Sequence, residues 1–331
     1  MKNDKYGIVS IGSATRDVFI ASDQIQSIAS DKFKTGAGLC FGLGSKAEIK
    51  KIVFTAGGGG TNAAVTFARQ GLKTAFVGVV GRDLNGKEIE AELKREGIDP
   101  HLQEHDDDFT AYSVILVHPN GERSILSYKG EGYHFDVNKI DFDALETDWL
   151  FLDSLGGHFE ILKKSIEWAA SKGIKIATNP GSKELEHGLA KLAPLLKKLN
   201  IVITNQEEAA GLTGLDYKDE GAIFKKMDEL IDGIFVMTKG HDGVAVSDGK
   251  TIYHAGVPDS PIVERAGAGD AFSSGFIVEY AHSGDIVKAI QFATANASSV
   301  VTQYGAKAGI LKKDDWGPWP LVNVEISTLT R

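Results

Sequence analysis

The sequence predicts an α/β fold with a doubly wound, mostly parallel sheet flanked by helices, together with a small β-rich lid. Short apolar runs of strand length alternate with longer segments of helical periodicity, and this alternation is typical of a parallel sheet covered on both faces. The predicted strands are residues 7–11, 74–80, 149–153, 174–178, 201–204 and 234–238. The predicted helices are residues 62–70, 86–96, 160–171, 186–199, 219–231, 271–281 and 285–303.

Two β-rich stretches interrupt this alternation and predict the lid. Residues 111–117 and 122–128 flank Asn120-Gly121, and an Asn-Gly step between apolar runs indicates a hairpin. Residues 18–20, shortly after the first strand, supply a second β-rich piece. The Gly- and Lys-rich residues 31–51 are predicted to be loop.

Length alone leaves one core or two open, but the continuous alternation predicts one domain over residues 1–331, with lid segments near residues 15–53 and 109–130. Hydrophobic residues make up 42% of the chain and charged residues 24%, which suits a globular protein with a large core. The formal net charge of -9 argues against a nucleic-acid partner, because surfaces that bind phosphate backbones need unopposed Lys and Arg.

The compartment is predicted to be the cytoplasm, with no membrane partner. The short, charged N-terminus leaves no room for a signal segment, and no stretch approaches transmembrane length. The single cysteine, Cys40, cannot form an intramolecular disulfide, so nothing points to an oxidising compartment.

A first glycine cluster, Gly57-Gly58-Gly59-Gly60, is followed by Thr61-Asn62 and an apolar helical pattern. Glycines let a ligand approach the backbone closely, and the start of a helix offers unpaired N–H groups. The cluster is therefore either a ligand-binding turn or a flexible connection to the helix.

A second cluster, Gly267-Ala268-Gly269-Asp270, also precedes a helical pattern. Its N–H groups would converge into an anion hole, with the Asp270 carboxylate beside the bound anion. A carboxylate there is electrostatically unfavourable unless it accepts a proton, so we predict that Asp270 is a general base for phosphoryl transfer. The alternative is an ordinary capping aspartate.

Two further groups of polar residues follow predicted strands, at the edge where open α/β sheets bind ligands. Asn205 and Glu208 lie one helical turn apart, so both could face a hydrated Mg²⁺ and phosphate oxygens. The same pair is also typical of an ordinary helix cap. Thr238-Lys239-Gly240, followed by Gly243, supplies a hydroxyl, a cation and bare backbone whose natural partner is nucleotide phosphate.

Three other patterns do not carry the chemistry that they resemble. Residues 81–88 have the spacing of a P-loop, but Glu88 stands where Mg²⁺ binding requires Ser or Thr, so we assign this segment to structure. No G-x-G-x-x-G run follows a predicted strand, which argues against a dinucleotide-binding dehydrogenase. The histidines show no H-E-x-x-H spacing, so there is no sign of a zinc site.

These pieces, in this order and at these separations, resemble the ribokinase-like (pfkB) carbohydrate kinase family from about residue 6 to residue 309. The resemblance implies an enzyme that transfers a phosphoryl group from ATP to a sugar hydroxyl, with Asp270 as the base. The amides of residues 266–270, including Gly267, Ala268 and Gly269, would form the anion hole. The residues implied for nucleotide binding are Asn205, Thr238, Gly240, Gly243 and Thr294, and Glu208 would hold Mg²⁺.

For the phosphoryl acceptor, the resemblance implies contacts from Asp17, Gly58, Asn62 and Asp153, with the Asp17 carboxylate accepting from two sugar hydroxyls. The lid would close over the acceptor and exclude water.

One departure from the family pattern concerns K⁺. The family usually carries an Asp-Thr pair before its glycine turn, where it helps to bind a monovalent cation, whereas this chain has Val263-Glu264-Arg265-Ala266. K⁺ activation is therefore doubtful here, and we hypothesise that Arg265 supplies part of the missing charge.

Other acceptors and roles remain open. A nucleoside could stack its base on Phe19, Phe41 or Tyr112. A sugar phosphate is less favoured because it needs a basic cluster, and a sugar-binding sensor without turnover is disfavoured by Asp270. The resemblance also allows a homodimer, because an edge of the lid sheet could pair with a second copy. The basic residues available near the lid are Arg16, Lys32, Lys34, Arg123 and Lys129.

Overall fold

The computed structural model describes residues 5–33, 36–119 and 122–328. Asn120-Gly121, predicted as a hairpin turn, and Lys34 lie outside the described residues. The strands are β1 Tyr6–Ile11, β2 Thr15–Ala21, β3 Gln26–Ala29, β4 Ala37–Cys40, β5 Lys51–Gly57, β6 Thr74–Gly81, β7 Asp99–His105, β8 Tyr112–Val117, β9 Arg123–Tyr128, β10 Thr147–Leu152, β11 Lys175–Thr178, β12 Ile201–Asn205, β13 Ile234–Thr238, β14 Val244–Ser247, β15 Thr251–Ala255 and β16 Val324–Thr328. The α-helices are α1 Gly59–Arg69, α2 Leu84–Arg95, α3 Phe159–Ser171, α4 Ser182–Leu185, α5 Leu189–Leu196, α6 Gln206–Thr213, α7 Glu220–Leu230, α8 Ala268–Ser283 and α9 Ile286–Val300.

The main sheet confirms the predicted doubly wound architecture. Within the described residues it has ten strands, in the order β16-β15-β14-β13-β12-β11-β10-β1-β6-β7. The strands from β13 to β7 run parallel, and β14, β15 and β16 extend the sheet antiparallel. Because β6 and β10 pair on opposite sides of β1, the chain reverses its winding there, and a crevice opens at the carboxyl ends of these strands.

Alternating side chains of the central strands fill two cores, one on each face of the sheet. From β1, Val9 and Ile11 point into a core shared with α3, α5 and α7, whereas Ile8 points into a core shared with α1, α8 and α9. Strands buried on both faces contain near-continuous apolar residues, which is why the sequence pattern locates them. No helix in the described ranges is both long and apolar enough to cross a bilayer.

A separate four-stranded sheet, which we call the lid sheet, has the order β5-β2-β8-β9. The predicted pairing of the two stretches around 111–128 is confirmed, because β8 and β9 are antiparallel. One face of the lid sheet carries Phe19 and Ile115, which are buried against Ala266 and Tyr304 of the main body. The lid sheet is therefore packed over the turn that precedes α8.

The structure corrects two predicted elements. The sequence predicts one helix over residues 186–199, but α4 and α5 are separated there by Gly188, whose φ of 81° only glycine adopts readily. Residues 31–51 are not all loop, because β4 pairs with β3 in a hairpin. A glycine at position 38 hides this strand from the pattern, since a Cβ there would collide with the Phe33 ring.

The P-loop-like segment at residues 81–88 is structural, as predicted. Asp83 caps α2 by accepting from the Gly86 N–H across 2.8 Å. The same carboxylate accepts from the N–H and the hydroxyl of Thr110, across 2.9 and 2.7 Å. These bonds lower the pKa of Asp83 against the effect of burial and tie the start of α2 to the entry of the lid.

Candidate active site

The carboxyl ends of β1 and β10 bring Ser13 and Asp153 together where the chain reverses its winding. The Ser13 hydroxyl donates to Asp153 Oδ2 across 3.0 Å. Gly12 and Gly59 lie so close that an added Cβ would come within 2.6 and 2.4 Å of the Asp153 side chain. The first glycine cluster is thus required by close packing against a buried carboxylate.

Asp17 lies in the lid sheet and faces the same crevice. Its side chain is buried, and Ser113 stands opposite it in the neighbouring strand β8. A Cβ on Gly57 would come within 1.7 Å of Asp17 Oδ2, so this position also excludes any other residue. Gly58 is required for two reasons, because its φ is 92° and an added Cβ would lie 2.5 Å from the Ser13 carbonyl oxygen.

Asn62 and Asp270 join the two glycine clusters. Asn62 Nδ2 donates to Asp270 Oδ2 across 2.8 Å, so the start of α1 is tied to the start of α8. Asn62 is buried and Asp270 is half-buried, and Asn62 Oδ1 has no partner in the described part of the chain. The structure therefore brings the predicted base into contact with a predicted acceptor-binding residue.

The turn before α8 presents free backbone N–H groups, as predicted, but over a shorter range. Among the described residues, the N–H groups of Gly267, Gly269 and Asp270 have no acceptor, and that of Ala268 lies 3.4 Å from the Arg265 carbonyl. Ala266 N–H instead donates to the Glu264 carboxylate. The predicted anion hole therefore excludes Ala266 and begins at Gly267.

Burial raises the pKa of each carboxylate in the crevice. It raises the pKa of Asp17 to about 6, and the nearby Asp270 charge adds to this effect, while Ser113 and Lys307 oppose it. The pKa of Asp153 is raised by burial and by Asp270. The pKa of Asp270 is also raised by burial, while Asn62 and Lys307 lower it. Protons are therefore held more tightly here than on free carboxyl groups.

Of the residues predicted to bind nucleotide, Asn205 and Thr238 are register partners at the ends of β12 and β13. Asn205 and Glu208 form the capping box that the sequence left open as an alternative, with hydrogen bonds of 2.8 and 2.9 Å. Burial raises the pKa of Glu208. Lys239 Nζ lies 3.1 Å from Glu220, so the cation expected to face phosphate is already paired.

The turn after β13 adopts glycine-only geometry at two predicted positions, with φ values of 59° at Gly240 and 90° at Gly243. Beside it lies a cavity of about 480 Å³ whose lining includes Lys239 and His254. Residues 320–323, just before β16, form another wall of this cavity. Thr294 is not part of the lining, because it is buried within α9 and donates its hydroxyl to the Ile290 carbonyl.

The segment that departs from the family pattern buries Glu264. Glu264 is 1% exposed, its Oε2 has no partner in the described residues, and burial raises its pKa to about 7. The cation that lowers this pKa is Arg123 of the lid sheet. Arg265 is about half exposed and lies 4.0 Å from Glu122. Arg123 is thus a second cation that acts on this segment, and the role of Arg265 as a partial replacement for the missing charge stays a hypothesis.

Sequence reasoning missed two residues of the crevice. Ser13 lies between Gly12 and the lid strand β2. The signal that could have identified it as a site residue is that it lies close to the first glycine cluster. Lys307 lies far along the chain. The local sequence around it gives no sign that its ammonium is buried and acts on Asp17 and Asp270. Within the described ranges, no group of three or more His, Cys, Asp or Glu side chains could hold a metal ion.

Comparisons with known proteins identify the family of this chain. Residues 7–313 match the pattern of the pfkB family carbohydrate kinases. Ribokinase from Haemophilus influenzae is 30% identical over 262 residues, which cover 77% of this chain and 83% of that protein. The solved structure of Arabidopsis thaliana ribokinase with ribose and ATP has a TM-score of 0.74 at 22% identity, covering 93% of this chain and 96% of that one.

Adenosine kinase from Sinorhizobium meliloti has the same fold, with a TM-score of 0.76 at 21% identity and coverage of 92% of this chain and 96% of that one. These structural similarities establish the architecture, including the lid, whereas the family match extends over nearly the whole sequence. The chain therefore belongs to the pfkB family of carbohydrate kinases and is an ATP-dependent kinase.

Proposed function

We propose that this kinase transfers the γ-phosphoryl group of ATP to a hydroxyl of a free sugar, with Asp270 as the general base. The observation that supports this most strongly is the position of Asp270 in the first turn of α8, beside the free N–H groups of Gly267 and Gly269. A carboxylate next to an anion hole repels the anion unless it takes up a proton, and phosphoryl transfer releases one.

The chemical step follows from this geometry. The acceptor hydroxyl gives its proton to Asp270 while its oxygen bonds to the γ-phosphorus, and the bond from that phosphorus to the bridging oxygen of ADP breaks. The N–H groups of Gly267, Ala268, Gly269 and Asp270 donate to the oxygens of the transferring group. Because α8 fixes these donors beforehand, they stabilise the developing charge without reorganisation.

Four residues would bind the acceptor. The buried Asp17 and Asp153 accept hydrogen bonds from sugar hydroxyls, and Asn62 Oδ1, which lacks a partner among the described residues, accepts another. Gly58 has no side chain, so the backbone next to these residues stays accessible to the acceptor. The lid sheet excludes water from this space because Phe19 and its neighbours pack against the turn before α8.

The nucleotide would lie along the carboxyl edge, with its phosphates near Asn205, Thr238, Gly240 and Gly243, whereas the buried Thr294 is left without a proposed contact. Mg²⁺ neutralises phosphate charge when it is bound to the nucleotide. The capping bond uses Glu208 Oε2, which leaves Oε1 for a water of the hydrated ion. Arg123 lowers the pKa of the buried Glu264 in the segment that departs from the family pattern, and the assay below in K⁺ and Na⁺ buffers tests whether K⁺ acts there.

The aromatic residues proposed for a nucleoside acceptor do not face the crevice with an open ring. Phe19 is 1% exposed inside the lid contact, and Phe41 lies on the exposed connection after β4. Tyr112 shares the outer face of the lid sheet with Val114, on the opposite side from Asp17 and Ser113. These positions favour a sugar over a nucleoside.

The acceptor is identified by an ADP-release assay with Mg-ATP over pentoses, hexoses, nucleosides and sugar phosphates, run in K⁺ and in Na⁺ buffers. We expect the highest kcat/KM with a free pentose or hexose, because the crevice offers hydroxyl acceptors and the three aromatic residues above do not line it. A nucleoside with a higher kcat/KM than any sugar would contradict this proposal. If a sugar phosphate were preferred, Arg123 and Lys129 would be the candidates for binding its phosphate, since they lower the pKa of Glu264 and of Asp17, respectively.

Replacement of the base is the test of mechanism. Asp270→Asn keeps the size of the side chain and should lower kcat by roughly 10²–10⁴-fold, with acceptor affinity largely retained. Asp285→Asn, at the start of α9, is the matched control and should leave kcat unchanged. Turnover near that of the wild type in Asp270→Asn would remove Asp270 from the proposed role.

Asp17→Asn should stabilise the unliganded protein at neutral pH. The folded protein holds the Asp17 proton more tightly than the unfolded chain does, because burial raises the pKa to about 6. The contribution of the Asp17 carboxyl group to the free energy of unfolding is fully present below about pH 4 and is lost as the pH rises through 6. The amide in Asp17→Asn does not titrate in this range. The free energy of unfolding of the variant in urea, relative to that of the wild type, should therefore rise by on the order of 2 kcal/mol between pH 4.5 and pH 7.5.

The control for this experiment is Asp259→Asn, which changes an exposed carboxylate. An equal difference in unfolding free energy between Asp17→Asn and wild type at both pH values would refute the effect. Acceptor affinity should fall in the same variant, since Asn accepts fewer hydrogen bonds than a carboxylate.

We propose that the lid sheet also mediates a homodimer. An apolar row formed by Phe54, Val18, Val114 and Leu126 crosses all four strands on the outer face. Phe54 is 53% exposed and Leu126 is 62% exposed, so the two ends of this row are open to solvent in the single chain, whereas Val18 between them is buried. Leu126→Glu should therefore shift the mass in sedimentation velocity from dimer to monomer. Ile326→Glu, at 61% exposure on β16, should not, and a monomeric wild type would exclude the dimer.

A further inference from the structure

Lys307 is a buried lysine that no step of the proposed reaction uses. Only 4% of the residue is exposed, although Lys is almost never fully buried without a partner. It follows Gly305 and Ala306 in the connection after α9. A Cβ on Gly267 would come within 2.4 Å of the Ala306 Cβ, so this connection packs directly against the anion hole.

Both ends of Lys307 are fixed by α1 and α2. Lys307 Nζ lies 3.2 Å from Glu92 Oε1, and Glu92 Oε2 accepts the Ala56 N–H across 3.0 Å. The Lys307 carbonyl accepts from Arg69 across 2.8 Å, and Arg69 in turn forms a two-point ion pair with Glu96. A side chain held at both ends presents its ammonium at a defined place.

That ammonium acts on two carboxylates of the crevice as well as on its direct partner. It lowers the pKa of Asp17 and of Asp270, against the effect of burial on each. Burial lowers the pKa of Lys307 itself, whereas Glu92 and Asp17 raise it. In a site shielded from water, such charges interact over longer distances than on the surface.

We propose that Lys307 is a positioning residue, a built-in cation anchored by Glu92 that stabilises the carboxylate form of Asp270 from behind the anion hole. The proposal rests on Asp270 being the general base. Lys307 contacts neither substrate. Its contribution is to keep the base ready to accept a proton at the pH where the enzyme works.

The charged and polar groups around Lys307 and Asp270 determine the direction in which loss of the Lys307 charge moves the pKa of Asp270. Lys307 Nζ is paired with Glu92 of α2, the charges of Asp17 and of Glu96 just after α2 also act on it, and Arg69 of α1 binds its carbonyl. Asp270 faces Asn62 of α1, and its charge also acts on Asp17 and on Asp153, which follows β10. Removing the Lys307 charge leaves the carboxylates uncompensated, so Asp270 holds its proton up to a higher pH.

The test is the pH profile of kcat/KM in Lys307→Met, which removes the charge and keeps an unbranched side chain. We expect the acidic limb to move upward by on the order of one pH unit, with an approximately tenfold loss of activity on that limb and a smaller loss at alkaline pH. Lys307→Arg keeps the charge and should keep the acidic limb near its wild-type position. Lys288→Met, on the exposed surface of α9, is the control and should match the wild type.

If Lys307→Met does not fold because Glu92 is left unpaired, the double variant Glu92→Gln/Lys307→Met removes both charges and should show the same upward shift. A uniform drop of kcat/KM at every pH would mean a merely structural role and would overturn the inference. Asp270→Asn separates the two proposals. If that variant is inactive while the Lys307 variants keep the wild-type profile, only the role of Lys307 fails. If it is active, the base assignment fails.

Discussion

The crowding of three carboxylates in one crevice, with Asp17 and Asp153 buried and Asp270 half-buried, is the constraint on which the rest of the site depends. Each ionised carboxylate that leaves water loses several kcal/mol of solvation in order of magnitude, and neighbouring like charges add to this loss. The fold offsets it with Ser13 and Asn62 as donors and with the buried Lys307 as a cation. Hydrogen bonds from a ligand rich in hydroxyl groups would offset this loss of solvation further. Binding of the acceptor would therefore also stabilise the site.

The glycines follow from the same constraint. A side chain at Gly57 or Gly59 would occupy the space of an Asp17 or Asp153 oxygen, and one at Gly267 would collide with Ala306. Main chain and carboxylates are therefore packed together without intervening side chains. The reversal of winding at β1 makes this packing possible, because it opens a crevice between strands whose carboxyl ends carry Ser13 and Asp153.

Much of this was predictable because local sequence carries it. Buried parallel strands are apolar runs, and the turn at Gly267–Asp270 combines glycines with an acid directly before a helix. Glu264 and Lys307 were not predictable in their roles, since only tertiary packing decides whether a lysine or glutamate is buried and which charge it meets. The β3–β4 hairpin was missed for a different reason: β3 is exposed and β4 contains a glycine at position 38, so no apolar alternation marks them.

Unsatisfied polar atoms show where the fold favours function over stability. Asn62 Oδ1, Thr204 Oγ1 and Glu264 Oε2 are buried without protein partners in the described chain, and they lie beside the base, beside Asn205 and beside the anion hole. Native proteins satisfy most such atoms, because each unpaired one costs about 1–3 kcal/mol. Under the proposed function, Asn62 Oδ1 would gain its partner from the acceptor, next to the base to which the same side chain is hydrogen-bonded. A lid sheet packed over this site then retains the substrates and excludes the water that would otherwise fill it.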